Sequence, residues 1–209
     1  MFLIEIACPR DALSEDDRRS LASDVCEVLV GAEKGVAPET MRRARAMTHV
    51  GFRELESWTT GDGPWSPGQV PPLWVTLTVP EAWRPEMSRT AIGVVRRGVR
   101  RLDQSHNWQR VGGDLWVNVV GIVDGSIGMD GEPCTADEVV GHMTAEFRAN
   151  NDTLGADLAQ GVVIDPMCGM HVRLGPDSLT LEHDGRTLGF CASACRAAYA
   201  REHGLPVPA

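Results

Sequence analysis

Apolar and polar positions along the first 131 residues fall into the same order twice. The first copy begins with "FLIEIAC", residues 2–8, apolar and β-branched enough to read as a buried strand. Ser14 then stands where it can cap a helix whose first turn is acidic, with Glu15, Asp16 and Asp17. Leu21, Val25, Val28 and Leu29 recur at i, i+4, i+7 and i+8 and give that helix one apolar stripe. Gly31 is its natural stop. The second copy opens with "LWVTLTVP", a strand closing on Val79-Pro80 as the first closes on Cys8-Pro9. A helix opened by Pro85 follows, with Ile92, Val95, Val99 and Leu102 on one face. Each copy then supplies another strand, "RAMTHVGFREL" running into "ESWTTGDG", and "DLWVNVVGIV" running into "DGSIGMDG". Both end on a pair suited to a tight turn, Asp62-Gly63 and Asp130-Gly131. The pattern predicts a tandem βαβ repeat, its paired strands parallel and its helices on one face, within an α+β fold.

Punctuation sets the remaining organisation. "GDGPWSPGQVPP" is a Pro/Gly-rich linker between the copies. Thr135 and Glu138 predict a capping box for a helix reaching about Ala149, and "NNDTLGADLAQG" reads as a connector. The expected division is therefore 1–131 for the tandem domain, with units of about 1–63 and 72–131. A helix and connector occupy 132–160, and a small module runs over 161–209.

Charge and composition narrow the function classes. With 29 acidic against 20 basic side chains the net charge is −9, which disfavours a nucleic-acid binder needing a basic face. "RRARA" and "RRGVRR" read as solvated charge at helix and strand ends. No apolar run approaches the ~18 residues of a membrane span, and "MFLIEIACPRD" lacks the basic and apolar regions of a signal peptide. The expected location is the cytoplasm, where thiols stay reduced, so the six cysteines need a reading other than disulfides. Cys8, Cys26 and Cys134 are scattered and read as small buried hydrophobes.

Cys168, Cys191 and Cys195 are clustered instead. If the chain turns helical at Ala192, Cys191 and Cys195 lie about one turn apart and can face one point. Between Cys168 and that pair, "SLTLEHDGRTLGF" alternates around Asp184-Gly185, a hairpin signal that folds the chain back. Closing this loop costs entropy that a small module recovers poorly from its core. Structural zinc offsets it by on the order of 10 kcal/mol. Three buried cysteines without metal are the plainer alternative, and dithiol redox chemistry fits the CxxxC spacing less well than CxxC. Asp165, three residues before Cys168, either completes a tetrahedral site or serves a turn through its side-chain oxygen. His171, His183 and His203 are alternative nitrogen ligands. A closed fourth position favours zinc, whereas three thiolates alone suit Cu(I).

Two family resemblances follow from these strings. "DPMCGM", with Asp165, Pro166, Cys168, Gly169 and Met170, and "FCASAC", with Phe190, Cys191 and Cys195, closely resemble the YHS domain, a relative of treble-clef-like metal modules. That resemblance implies heavy-metal binding, zinc first and Cu(I) second, at Cys168, Cys191, Cys195 and Asp165. The order of elements over residues 1–131 resembles the tautomerase superfamily, two 4-oxalocrotonate tautomerase-like units fused in one chain. Its members use an amino-terminal proline as general base. Here Phe2 stands at that place, and Pro71 and Pro72 are internal, with no basic nitrogen. Arg10, Arg43, Arg45 and Arg53 are available for a small carboxylate ligand, and His49 with Glu54 for acid–base work, but no catalytic residue is assigned. The family's symmetric assemblies imply a homo-oligomer, expected as a trimer. Two functions are carried forward: a metal-binding protein on a degenerate tautomerase-like scaffold, and an isomerase acting on a small keto acid with the metal module as accessory.

Overall fold

The computed structural model describes residues 2–31, 37–150 and 159–207 of this α+β protein. In chain order the elements begin with β1 (Phe2–Pro9), α1 (Glu15–Val30), α2 (Pro38–Ala46) and β2 (Thr48–Leu55). The short pair β3 (Thr59–Thr60) and β4 (Gly63–Pro64) precedes β5 (Leu73–Pro80), a 3-10 turn (Glu81–Trp83), α3 (Arg84–His106) and β6 (Leu115–Ile122). Then come β7 (Ile127–Met129), β8 (Glu132–Cys134), α4 (Ala136–Ala149), β9 (Val162–Ile164), β10 (His171–Arg173), β11 (Leu179–His183), β12 (Arg186–Phe190) and α5 (Ser193–Glu202). The chain divides into two compact units, one of Met1–Val30, Thr48–Val79 and Arg84–Gly121, the other of Gly31–Met47, Pro80–Trp83 and Ile122–Ala209.

The first unit holds a four-stranded sheet in the order β2-β1-β5-β6. β1 and β2 pair in parallel from Phe2↔Thr48 to Pro9↔Leu55, as a βαβ copy requires. β1 and β5 pair antiparallel from Leu3↔Thr78 to Ala7↔Trp74, which joins the two copies edge to edge. The strands alternate: Ile4, Ile6, Leu73, Val75, Leu77 and Val79 are buried, while Leu3, Glu5 and Trp74 are exposed. β1 thus alternates between a buried and an exposed face over its first half and is buried on both from Ile6 to Pro9, so the buried strand read from its composition holds for its second half.

The helices follow from their caps and stripes. Asp17 N–H donates to Ser14 Oγ (3.1 Å) and Ser14 N–H to Asp17 Oδ2 (3.0 Å), a reciprocal cap at the start of α1. Leu21 and Val25 are buried as expected, Val28 and Leu29 only half so. In α3 Val95, Val99 and Leu102 are buried with Ala91, Val94 and Gly98. Ile92 is 40% exposed, because the buried stripe enters through Ala91 instead. α1 and α3 approach closely at Gly98, where an added Cβ would lie 3.0 Å from Leu21 Cδ1.

The second unit gathers α4 with α2, α5 and the 3-10 turn, and contains three two-stranded ladders, β7–β8, β9–β10 and β11–β12. The capping box is present: Glu138 N–H donates to Thr135 Oγ1 (3.2 Å) and Thr135 N–H to Glu138 Oε2 (2.7 Å). α2 has no counterpart in the sequence reading. Pro38 at its start and buried Met41 and Ala44 make it a helix, so Arg45 and Ala46 leave the anticipated strand and β2 begins at Thr48. Asp130-Gly131 (φ 54° and 91°) and Asp184-Gly185 (φ 51° and 70°) form the tight hairpin turns expected of them. In the first copy the Thr60↔Gly63 pair brackets Gly61-Asp62, one residue earlier than Asp62-Gly63. Most of the expected connector, residues 151–158, lies outside the described residues. Among the described residues no helix is long and apolar enough to cross a membrane.

Candidate metal centre

Two pieces of chain build the centre. β9 and β10 pair from Ile164↔His171, and the six residues between them turn back on themselves. Asp165 N–H donates to Met170 O and Gly169 N–H to Asp165 O, both at 2.8 Å. Gly169 makes this possible with φ 77°, a conformation that L side chains rarely adopt. The second piece is the end of β12, where Phe190 is buried and Cys191 and Ala192 lead into α5. Ala192 is the N-cap with extended backbone, and Cys195 falls in the first helical turn.

The β11–β12 hairpin brings these pieces together. Cys168 Sγ lies 3.4 Å from Cys191 Sγ, although 23 residues separate them, and Cys191 Sγ lies 3.9 Å from Cys195 Sγ. One ligand atom from each of Asp165, Cys168, Cys191 and Cys195 lies within 4.8 Å of all the others. Zinc–thiolate bonds of about 2.3 Å in a tetrahedron place sulfurs about 3.8 Å apart, so the spacing and the donor set fit a soft or borderline ion. This cluster can hold a metal ion. All six cysteines are free thiols; Cys8 and Cys134 are buried and Cys26 is half-buried, and none of these three belongs to the cluster.

Burial and mutual hydrogen bonding tune the centre unevenly. Burial, with the neighbouring Cys191 charge, pushes the Asp165 carboxyl up to about 7. Hydrogen bonds from Cys168 and then Cys195 pull Cys191 well below an ordinary thiol, while sharing those protons pushes Cys168 and Cys195 up.

His171, His183 and His203 do not belong to this cluster. His183 Nδ1 lies 2.8 Å from Tyr199 Oη, and His203 packs tilted at 35° against Tyr199 with ring centroids 4.1 Å apart. With Pro166, Met167 and Leu188 these rings line a cavity of about 580 Å³. The sequence reading missed the group, although Tyr199 and His203 follow Cys195 at intervals of four on one helix.

The remaining candidates for chemistry are split: Arg10, His49, Arg53 and Glu54 belong to the first unit, Arg43 and Arg45 to the second. His49 and Glu54 both lie on β2, but an odd separation puts them on opposite faces of the strand. Glu54 is paired with Arg18 at 2.9 Å. Arg10 pairs with Glu56, Arg53 with Glu5, and Arg43 donates to His142 O at 3.0 Å; Arg45 also has an interaction partner. The Arg10 and Arg53 ion pairs are exposed.

No family model matches the chain, and no curated protein is detectably similar to it. Among solved structures it is similar to Pt0534 inactivated by 2-oxo-3-pentynoate, with 14% identity over 63% of this chain and 95% of that one, TM-score 0.47. It is similar also to a fused 4-OT solved as an asymmetric trimer, with 13% identity over 63% and 94% of the two chains, TM-score 0.46. A third is N1, of the cis-3-chloroacrylic acid dehalogenase family, with 14% identity over 76% and 93%, TM-score 0.44. Likeness at this level defines neither a family nor an activity for the chain.

Proposed function

We propose that this chain is a metal-binding protein whose ligand set is drawn from Cys168, Cys191, Cys195 and Asp165, in a YHS-like module over residues 161–209. The tautomerase-like tandem unit over residues 1–131 is its scaffold. The observation that carries this reading is the meeting of three sulfurs and a carboxylate from two distant stretches of chain within 4.8 Å. Structural cysteines that merely fill space have no reason to gather on one point with a carboxylate. The ion is zinc if Asp165 closes the tetrahedron, and Cu(I) if the sulfurs act alone. Free thiols suit a reducing compartment, which supports a cytoplasmic location.

We prefer this reading to isomerisation of a keto acid, because His49, Glu54 and the candidate arginines are dispersed or paired. Self-association as a trimer is part of the proposal. It is supported by exposed apolar residues on the sheet strands, Leu3, Trp74, Trp116 and Val120. Elemental analysis of the chain purified without added metal, beside Cys168→Ser, Cys191→Ser and Cys195→Ser, tests the metal reading. One ion per chain, lost from the variants, is expected; no stoichiometric metal, or metal kept by all three variants, removes the proposal.

A further inference from the structure

Asp165 stands inside the cluster, and both of its oxygens also carry backbone hydrogen bonds. Its side chain is fully buried. Oδ1 accepts the N–H of Met167 (2.8 Å) and of Cys168 (3.3 Å), and Oδ2 accepts the N–H of Cys191 (2.8 Å). One carboxylate thus ties the turn after β9 to the end of β12 and fixes the backbone of two of the three cysteines. A buried carboxylate that holds ligand-bearing backbone is the outer layer of a metal site, the layer that orients the ligands. A bond from Oδ2 to a metal would have to share that oxygen with the Cys191 N–H.

The sulfurs are placed differently. They lie against one another, Cys168 Sγ 3.4 Å from Cys191 Sγ and Cys191 Sγ 3.9 Å from Cys195 Sγ. No histidine among the described residues joins them. Three thiolates without a hard fourth ligand suit a soft monovalent ion better than zinc. Exposure is uneven as well: Asp165, Cys168 and Cys195 are buried and Cys191 is exposed.

Resting on the metal-binding reading above, we propose that Asp165 is a positioning residue and not a ligand. The centre carries Cu(I) on three sulfurs as cargo, and Cys191 is the sulfur through which a small-thiol carrier loads and unloads it. In unloading, the carrier's thiolate forms a bond to the ion as the bond to Cys191 Sγ breaks. A thiolate enters and a thiolate leaves, and the copper keeps its oxidation state. Further carrier thiolates displace Cys168 and Cys195, the buried pair, after Cys191 has let go.

The test uses the full chain, reduced and loaded from the copper(I)–glutathione complex. It combines X-ray absorption at the copper edge with competition against a copper(I) chelator and against zinc. Three sulfurs and no oxygen or nitrogen neighbour are expected in the native chain. Asp165→Asn should keep that three-sulfur signature while copper retention falls about 10–100-fold, the usual effect of disturbing an outer-layer partner. An oxygen neighbour in the native chain overturns the positioning role, and that spectrum decides the matter even if the variant fails to fold. Retention of zinc against equimolar copper(I) overturns the cargo assignment and leaves the metal-binding reading standing. A chain that takes up neither ion overturns both.

Discussion

At the scale of single residues, burial and proton sharing push the Cys168 and Cys195 thiols up, which makes metal loading a proton-releasing event. Ligand sulfurs bind as thiolates, so each proton removed from Cys168 or Cys195 must leave when the ion enters. Metal retention is therefore expected to fall as pH drops from neutral towards 5, measured by competition with a chelator whose own protonation is corrected for. Retention that does not change over that range would contradict thiolate ligation. The cysteines were legible in the sequence because their spacing, and the hairpin between them, are local signals. The turn role of Asp165 towards Met167 and Cys168 was one of the two readings its position offered, but its bond to Cys191 was not legible, because it spans 26 residues and depends on backbone direction. His49 and Glu54 show the converse. Both are polar residues on one strand, yet an odd spacing separates them onto opposite faces.

At the scale of elements, two features carry testable energies. Gly169 combines φ 77° with close walls: an added Cβ would lie 2.5 Å from Phe147 Cε2 and 2.8 Å from Ala37 Cβ. Gly169→Ala is expected to destabilise the unit holding the metal centre by roughly 2–4 kcal/mol, from left-handed strain and overpacking together. Denaturant titration of the metal-free chain measures it, and a loss below about 0.5 kcal/mol would contradict the tight fit. The second feature is the start of α1. Burial pulls the Asp17 carboxyl upward, but hydrogen bonds from His106 and from Ser14 outweigh it and hold the group below its ordinary value. Its folded value thus lies below its unfolded value. The stability it contributes is present above the unfolded value near 4 and is lost as pH falls through the lower folded value. Asp17→Asn is expected to cost about 1 kcal/mol at neutral pH and to flatten the acid limb of the stability curve, read from unfolding at a series of pH values. Strands, caps and two of the three Asp-Gly turns were legible at this scale, since each rests on neighbours within a few residues. α2 was not: its arginines dominated "RRARA", and Pro38 at its start was the one signal that marked it.

At the scale of the whole molecule, the cysteine centre sits in a compact unit larger than the tail alone. α2, α4 and the 3-10 turn share that unit, with Met41, Val139, Val140 and Phe147 buried there. Such a core weakens the case that a metal is needed simply to fold the module, and it gives more weight to a binding or carrying role. Added metal should still stabilise the chain by mass action, about 2.7 kcal/mol at a free concentration one hundred times Kd. The exposed Leu3, Trp74, Trp116 and Val120 carry a second expectation at this scale. Light scattering should report a trimer that Trp74→Glu dissociates, and a monomeric native chain would contradict it. The sequence conveyed the doubled βαβ order but not how the chain is apportioned, because residues 37–47 and 80–83 join the second unit through contacts remote in sequence.

The most direct test of metal binding is the metal content, with identity, of the full chain purified under reducing conditions without added metal. One soft or borderline ion per chain, absent from Cys168→Ser, Cys191→Ser and Cys195→Ser, is the expected result. A chain that carries no stoichiometric metal, or one whose metal survives all three substitutions, would contradict the assignment of Cys168, Cys191 and Cys195 as the site.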